Sequence, residues 1–521
     1  MSNHQREEHE DLLTAGEDPT GMNRRDFIEM TAAACGGLLA GTAGISCFPE
    51  IAYASDWAPV SFPKLLLFNC QIFDGVHSQL QKDRVVVVEG DEIEAIEPRG
   101  DLSAFRSYKR VNLEGRTVLP GLIDNHVHLT VPFIYKVNFR AIMQMNQQIV
   151  RNFRNCIMSG VTTVRDVGGF PAKILEFRAM ADDNEIPGPR MISAMSPIAS
   201  RKGDELGAPE SAPYFTNPIV KWFLGGNYAE RPTNVEETRE ACDRMIALGA
   251  QWLKTLHQDH PYTYHSRALP NHSDEGYRAI LEKGRENGIK CALHEPLVSG
   301  FKKGVDLGFD TLEHMPMDAV IPDAYVEEFT RREMAIMPTM LVHGDVFILK
   351  ELLELLQIRG EEYLVPEAVE QMTVRIRSVL DLQSRQLSEG EKQALSYDPQ
   401  YGKDMFHNVV ANLRKLHEMG AMVGIGTDMG NPFTQFFGRY ADELNHFAAA
   451  GIPNSDILRR ATSLNARIIG MEDRIGSLEE GKKADIIAVR GDPLKELQAM
   501  SRVDMVMKGG VFVKTRGIDL G

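Results

Sequence analysis

Apolar runs of four to eight residues, each closed by Gly, Pro, Asn or Asp, punctuate the chain from Leu65 onward; such runs read as buried strands. Residues 65–70, 85–88 and 93–96 form one series, with a turn at Gly90-Asp91-Glu92 feeding the last. Residues 476–489 and 503–513 form another at the far end, with turns at Glu480-Gly481 and Gly509-Gly510. Two strand-rich ends flanking a long centre predict one small β domain assembled from residues 55–117 and 475–521. Over residues 118–474 the period changes. Strand-like runs at 121–128, 161–166, 189–195, 251–256, 289–294, 309–314, 335–339 and 421–427 alternate with stretches of helical period. Thr233-Asn-Val-Glu236 reads as a capping box for a helix ending near Gly249, and Ser273 as the cap of one closing at Gly288. Eight strands separated by helices predict an α/β fold, a parallel (β/α)8 TIM-type barrel, with a doubly wound open sheet as the alternative. Segments 196–232 and 344–403 exceed what a connection needs, and the second carries helical patterns at 346–356 and 367–387; insertions of this length serve as lids or binding elements.

The first 54 residues follow a different logic. Asn23-Arg24-Arg25-Asp26-Phe27-Ile28 precedes a mild, Gly/Ala-rich apolar run at 31–45, too short to span a bilayer, and Ala52-Tyr53-Ala54 offers a small-x-small cleavage site. The paired arginines resemble a twin-arginine signal, although the segment before them is acidic where leaders are usually basic. The expectation is export by the twin-arginine machinery to the periplasm or beyond, with no stable membrane anchor. The formal charge is −16 and no basic stripe relieves it, which argues against a nucleic-acid partner. Six cysteines lack any CxxC or metal-type spacing, so ligation by thiolates is not expected.

Chemistry gathers at the ends of the predicted strands. Leu119-Pro-Gly-Leu-Ile-Asp-Asn-His-Val-His-Leu-Thr130 reads as a turn and then a strand, on which His126 and His128 share one face about 7 Å apart. Later strands each deliver one ionisable group near the C-terminal end: Lys254, His294, His314 and Asp428. In a barrel those ends converge on the face where such enzymes keep their chemistry. Imidazoles with a carboxylate suit zinc and similar borderline ions, whereas calcium and magnesium prefer oxygen alone.

The stretches "LPGLIDNHVHLT", "GVTTVRDVGG", "GAQWLKTL", "CALHE", "GVDLGFDTLEH", "VGIGTDMG" and "RATSLNARIIGMEDRIGSLEEGKKADIIAVRGDPL" resemble the amidohydrolase superfamily, in its imidazolonepropionase-like and Xaa-Pro dipeptidase-like branch. The resemblance implies that the flanking β segments form one composite β-sandwich beside the barrel. It implies a two-metal site: His126, His128 and Asp428 around one divalent ion, expected to be zinc, with His294 and His314 around a second and a carbamylated Lys254 bridging them. A bridging water of lowered pKa would attack a carbonyl, with Asp428 as its proton acceptor. A mononuclear site with the same lysine is the alternative. The chain departs from the branch at Leu256-His-Gln-Asp-His260 and at Ser196-Pro-Ile-Ala-Ser200, so the branch's substrate does not transfer.

For substrate, aromatics in the loops (Tyr214, Phe215, Trp222, Phe223, Tyr228, Tyr262, Tyr264, Phe433, Phe436, Phe437, Tyr440) suggest a cleft for a bulky acyl or aromatic group beside the scissile bond. Tyr228 is a candidate substrate contact. His343 is a candidate for contacting the carbonyl or leaving group, and Arg439 for pairing with a substrate carboxylate. The function expected is hydrolysis of an amide-type C–N bond in a dipeptide, N-acyl amino acid or cyclic amide. Lactone or phosphoester hydrolysis by the same centre is the alternative, and a non-catalytic binding scaffold a more distant one. The sequence leaves oligomeric state open.

Overall fold

The computed structural model describes residues 58–520 apart from 101, 134–135, 137, 201–217, 261–267, 396–397 and 431–435. The expected leader, Tyr214, Phe215, Tyr262, Tyr264 and Phe433 therefore lie outside the described residues. The two strand-rich ends come together as the patterning requires. The N-terminal strands are β1 (Val60–Ser61), β2 (Lys64–Ile72), β3 (Gln81–Glu89), β4 (Glu92–Pro98), β5 (Lys109–Asn112) and β6 (Thr117–Pro120). They join β15 (Ile486–Val489), β16 (Val503–Lys508) and β17 (Val511–Thr515) in one nine-stranded mixed sheet, ordered β1-β17-β16-β15-β6-β2-β3-β4 with β5 beside β2. Side chains alternate as a pleat demands. Leu65, Leu67, Val86 and Val88 pack with Ile486, Met505, Met507 and Phe512, while Leu66, Val85 and Val87 pack on the opposite face. The two ends thus share one continuous sheet, and its strands β6, β15 and β16 also send Leu119, Ile487 and Val506 into the central core.

All eight central strands are present: β7 (Leu122–Val127), β8 (Val161–Asp166), β9 (Arg190–Ser193), β10 (Trp252–Leu256), β11 (Lys290–His294), β12 (Thr311–Glu313), β13 (Ala335–Met337) and β14 (Met422–Val423). They pair in parallel, but as two sheets, β7-β8-β9 and β10-β11-β12-β13-β14, rather than the single closed ladder expected. The ladders stop because β9 and β14 are only four and two residues long. Isolated backbone hydrogen bonds span both gaps. Gln251 donates to Ser193 and Ile198 to Lys254 (both 2.8 Å), and across the other seam Asn125 donates to Ile425 (3.0 Å) and Asp428 to His126 (2.8 Å).

The helix Val235–Ala247 starts one residue later than the capping-box reading placed it. Asn234, not Thr233, accepts from the Glu237 N–H at 2.9 Å, and Glu237 reaches back to the Thr233 N–H. Ser273 caps Asp274–Glu286 as expected. In the 344–403 insertion, helices Leu349–Tyr363 and Pro366–Ser384 form a hairpin against the helix Phe139–Met158. Gln148 accepts from the Val365 N–H at 2.7 Å, and Asn155 donates to the carbonyls of Glu362 and Tyr363 at 3.2 Å. Among the described residues, no helix is long and apolar enough to cross a membrane.

Candidate metal centre

The strand period that buries the core also builds the site. Trp252 and Ala292, each two residues before a ligand candidate on its own strand (Lys254 and His294), pack with Ile123 and Ile192 in one small buried cluster, and the ligand candidates follow towards the strand ends. His126 and His128 project side by side with ring centroids 5.5 Å apart. Asp428 Oδ1 lies 3.3 Å from His126 Nε2 and 3.1 Å from His128 Nε2. Asp428 has a left-handed backbone (φ 56°), and Asp124 anchors its loop by accepting the Thr427 hydroxyl at 2.6 Å and the Thr427 N–H at 3.1 Å. His314, also left-handed (φ 79°), sets its ring centroid 4.9 Å from that of His126 and 4.4 Å, edge-on, from that of His294. Asp428 and His314, two non-glycine residues in the left-handed region that both face the His126 ring, mark strain concentrated at this cluster.

Outward hydrogen bonds set the tautomers. His128 Nδ1 donates to the Gly168 carbonyl at 2.6 Å, and a carbonyl can only accept. His314 Nδ1 lies 2.7 Å from Thr339 Oγ1, whose own proton goes to the Pro338 carbonyl, so the imidazole is again the donor. His126 Nδ1 donates at 2.6 Å to Glu313, whose other oxygen accepts from Arg165 at 2.6 Å and Thr311 at 2.7 Å. Burial would raise the Glu313 pKa, yet the Arg165 charge and the His126 hydrogen bond bring it down to about 2, so the carboxylate is ionised. The ligand-side nitrogens of His126 and His128 then carry lone pairs aimed at a third acceptor, Asp428, all within 4.8 Å. Three acceptors facing one point repel unless a cation, or failing that a proton, sits among them. Burial lowers the His128 pKa, but the Asp428 hydrogen bond and charge raise it overall, which is the same demand for positive charge. The donor set fits a borderline divalent ion.

Lys254 is buried with no hydrogen-bond partner for Nζ among the described residues. Burial draws its pKa down to about 8, against the charge of Glu313. An amine so disposed is neutral often enough to react with CO₂, and a carbamate would satisfy the orphaned position. Burial pushes the pKa of His294 and His314 well below the usual value, keeping both neutral as ligands must be.

The remaining candidates separate. His343 lies in the short helix Met340–Gly344, whose first N–H groups are held by Glu443 at 2.9 and 2.8 Å. Burial lowers its pKa to about 4 while the charge of Asp428 pulls the other way, so the imidazole is neutral and within electrostatic reach of Asp428. Tyr228 is buried with its hydroxyl 3.2 Å from His128 Nδ1. Arg439 is the correction. Its guanidinium forks onto Asp345 at 2.7 and 2.8 Å and meets Asp442 at 2.9 Å, so it holds the fold rather than a substrate carboxylate. Glu313, Arg165, Thr339 and Gln258, which contacts His294 Nε2 at 3.0 Å, were missed as site residues. A charged residue inside a buried strand run was the available signal for the first two.

Over residues 117–513 the chain matches the sequence pattern of the Amidohydrolase family. It is 23% identical over 459 residues to the ochratoxinase of Aspergillus niger, covering 84% of this chain and 82% of that protein. The crystal structure of that ochratoxinase superposes with a TM-score of 0.65 over 88% of this chain and 98% of the other, at 18% identity. A Xaa-Pro dipeptidase with bound methionine superposes at 0.63, with 22% identity over 87% of this chain and all of the other. Molinate hydrolase gives 0.67, with 15% identity over 87% and 95% of the two chains. Together with the converging acceptors, the match shows that this chain belongs to the Amidohydrolase family.

Proposed function

We propose that this protein is a metal-dependent hydrolase that cleaves an amide-type C–N bond in a dipeptide, N-acyl amino acid or cyclic amide. The observation that carries the proposal is the cluster of His126, His128 and Asp428, three acceptors with their protons assigned elsewhere. The two parallel sheets are taken as arcs of one (β/α)8 barrel, with the nine-stranded sheet as its composite β companion. Two zinc ions are the proposed complement, the second held by His294 and His314, with carbamylated Lys254 between them. Bound there, such ions lower the pKa of water and polarise a carbonyl oxygen. The positive charge that the cluster calls for beside Asp428 holds its carboxyl below the usual range against the upward push of burial, so it can take a proton from the attacking water and deliver it to the leaving nitrogen. Neutral His343, within electrostatic reach of Asp428, is the candidate to hydrogen-bond the carbonyl or leaving group, and Tyr228, whose hydroxyl lies 3.2 Å from His128 Nδ1, is the candidate substrate contact on that side. The twin-arginine leader supports export, with assembly of the metal site before translocation.

The test is metal analysis of the purified protein, then assay of N-acyl amino acids, dipeptides, lactones and phosphoesters. Hydrolysis of amides is expected. A preference for lactones or phosphoesters overturns the amide reading, and a protein that takes up no transition metal overturns catalysis altogether.

A further inference from the structure

We infer that the cavity bounded by Lys221 and Arg231 is an anion subsite of the hydrolase proposed above, holding a carboxylate that the substrate carries set off from the bond to be cut by the Tyr228 side chain. The inference deepens that reading and rests on it. Lys221 lies in the helix Pro218–Phe223 and Arg231 in the segment that follows, and with Asn227, Tyr228, Ala229 and Glu230 they line a cavity of about 340 Å³. Neither cation has an ion pair or a side-chain hydrogen bond among the described residues. Glu230, the acid in that lining, is already neutralised by Arg244 at 2.7 Å. Two like charges left over in one cavity repel, on a chain whose 73 Asp and Glu against 57 Lys and Arg could have supplied a partner. An anion between them turns the repulsion into two attractions, and a guanidinium with an ammonium is a donor set suited to a carboxylate.

The cavity is built in register with the metal centre. The Glu230 N–H donates to the Pro197 carbonyl and the Ala199 N–H to the Glu230 carbonyl, both at 2.9 Å. Between them, the Ile198 N–H donates to the Lys254 carbonyl at 2.8 Å and the Ile198 carbonyl accepts the Thr255 hydroxyl at 2.7 Å. The wall that carries Arg231 is thus tied, through residues 197–199, to the strand that carries Lys254. Tyr228 belongs to both places: it lines the cavity, and its hydroxyl lies 3.2 Å from His128 Nδ1. The tie runs through Ser196-Pro-Ile-Ala-Ser200, a stretch where the chain departs from its branch and where a specificity of its own belongs. Arg439 is not available for this role, because Asp345 and Asp442 hold its guanidinium.

Matched pairs of amides test it, with the metal-loaded full chain. Para-acetamidobenzoate against para-methylacetanilide places the carboxylate on the leaving side, and glutaric monoanilide against pentananilide places it on the acyl side. The wild type should show a KM lower by about 10-fold or more for the acid of at least one pair. Lys221→Met and Arg231→Met should each remove most of that preference, whereas Lys221→Arg and Arg231→Lys, which keep the charge, should retain it. No preference for either acid overturns the inference, as does a preference that survives both Met variants. Equal losses on the acid and its neutral partner in the Met variants overturn it too, marking a merely structural role. If the wild type cleaves none of the four, the hydrolase reading falls, and calorimetric binding of the same compounds decides the subsite separately. Tighter binding of an acid that is lost in the Met variants supports it, and equal binding or none overturns it.

Discussion

Glu313 and Arg165 form a salt bridge at 2.6 Å in which both side chains are wholly buried, with the guanidinium lying 4.5 Å above the Trp252 ring. A pair like this is a poor source of net stability, but stripping one partner leaves a bare charge in the core. Glu313→Gln should therefore cost about 3–5 kcal/mol in denaturant unfolding; a cost within experimental error would show that Arg165 reaches water. A second residue-scale prediction concerns Lys508, whose buried ammonium donates to the carbonyls of Ala181 and Gly188 at 2.8 Å. Burial lowers its pKa from 10.5 to about 8. Between those values the unfolded chain keeps a proton that the folded chain has released, so the site's contribution to stability grows as pH rises through the window. Relative to Lys508→Met, the wild type should gain on the order of 3 kcal/mol from pH 8 to 10.5, and a pH-independent difference would refute the shift. Neither Lys508 nor Glu313 was singled out in the sequence, although a charge inside a strand-like run was there to be noticed in both. The fate of Arg439 was not, because the carboxylate that claims it, Asp345, stands 94 positions away.

Among elements, the central parallel strands before β14 were legible to within two residues at either end, since buried parallel strands are written as short apolar runs bounded by turn formers, whereas the terminal run 476–489 keeps only Ile486–Val489 as strand. Their ends were harder: β14 keeps two residues of the seven read as strand, because Gly424 and Gly426 lie where a Cβ would collide with Met337 and His126 and the chain there follows the site rather than the ladder. The insertion hairpin is a different case. Its helices were readable, but its attachment was not, being made by polar side chains on the helix after β7. Gln148→Ala combined with Asn155→Ala should speed hydrogen exchange across 349–384 while the central strands stay protected. Each lost buried hydrogen bond is worth about 1–3 kcal/mol. Unchanged exchange in the hairpin would mean that apolar packing alone holds it.

On the scale of the whole molecule, the seam between β7 and β14 decides whether the ligands meet. Asn465, just past the π-helical turn Arg460–Leu464, donates to the carbonyls of Ile123 at 2.7 Å and Ile425 at 2.8 Å and accepts from the Ile425 N–H at 3.0 Å. It staples the strand bearing His126 to the segment leading to Asp428. Asn465→Ala should lower stability by about 3 kcal/mol or more, since several buried backbone groups lose their partner at once. It should weaken metal binding as well; retained affinity would show that the seam holds without its staple. Removing the metal with a chelator should lower the melting temperature, because folding energy is spent bringing like acceptors together and the ion returns it. A melting temperature indifferent to chelator would argue that protons alone neutralise the cluster.

By itself the sequence determined the α/β architecture and the strand-rich character of the two chain ends, and it picked out the His126, His128 and Asp428 side chains that the fold brings together. These follow from period, turn chemistry and residue type, which are local properties. The tertiary structure alone decided which nitrogen each imidazole presents, which charges are spent on the fold, and how two short parallel sheets meet. Those depend on partners far away in the chain, and a hydrogen bond's donor and acceptor have no spacing that a sequence can record.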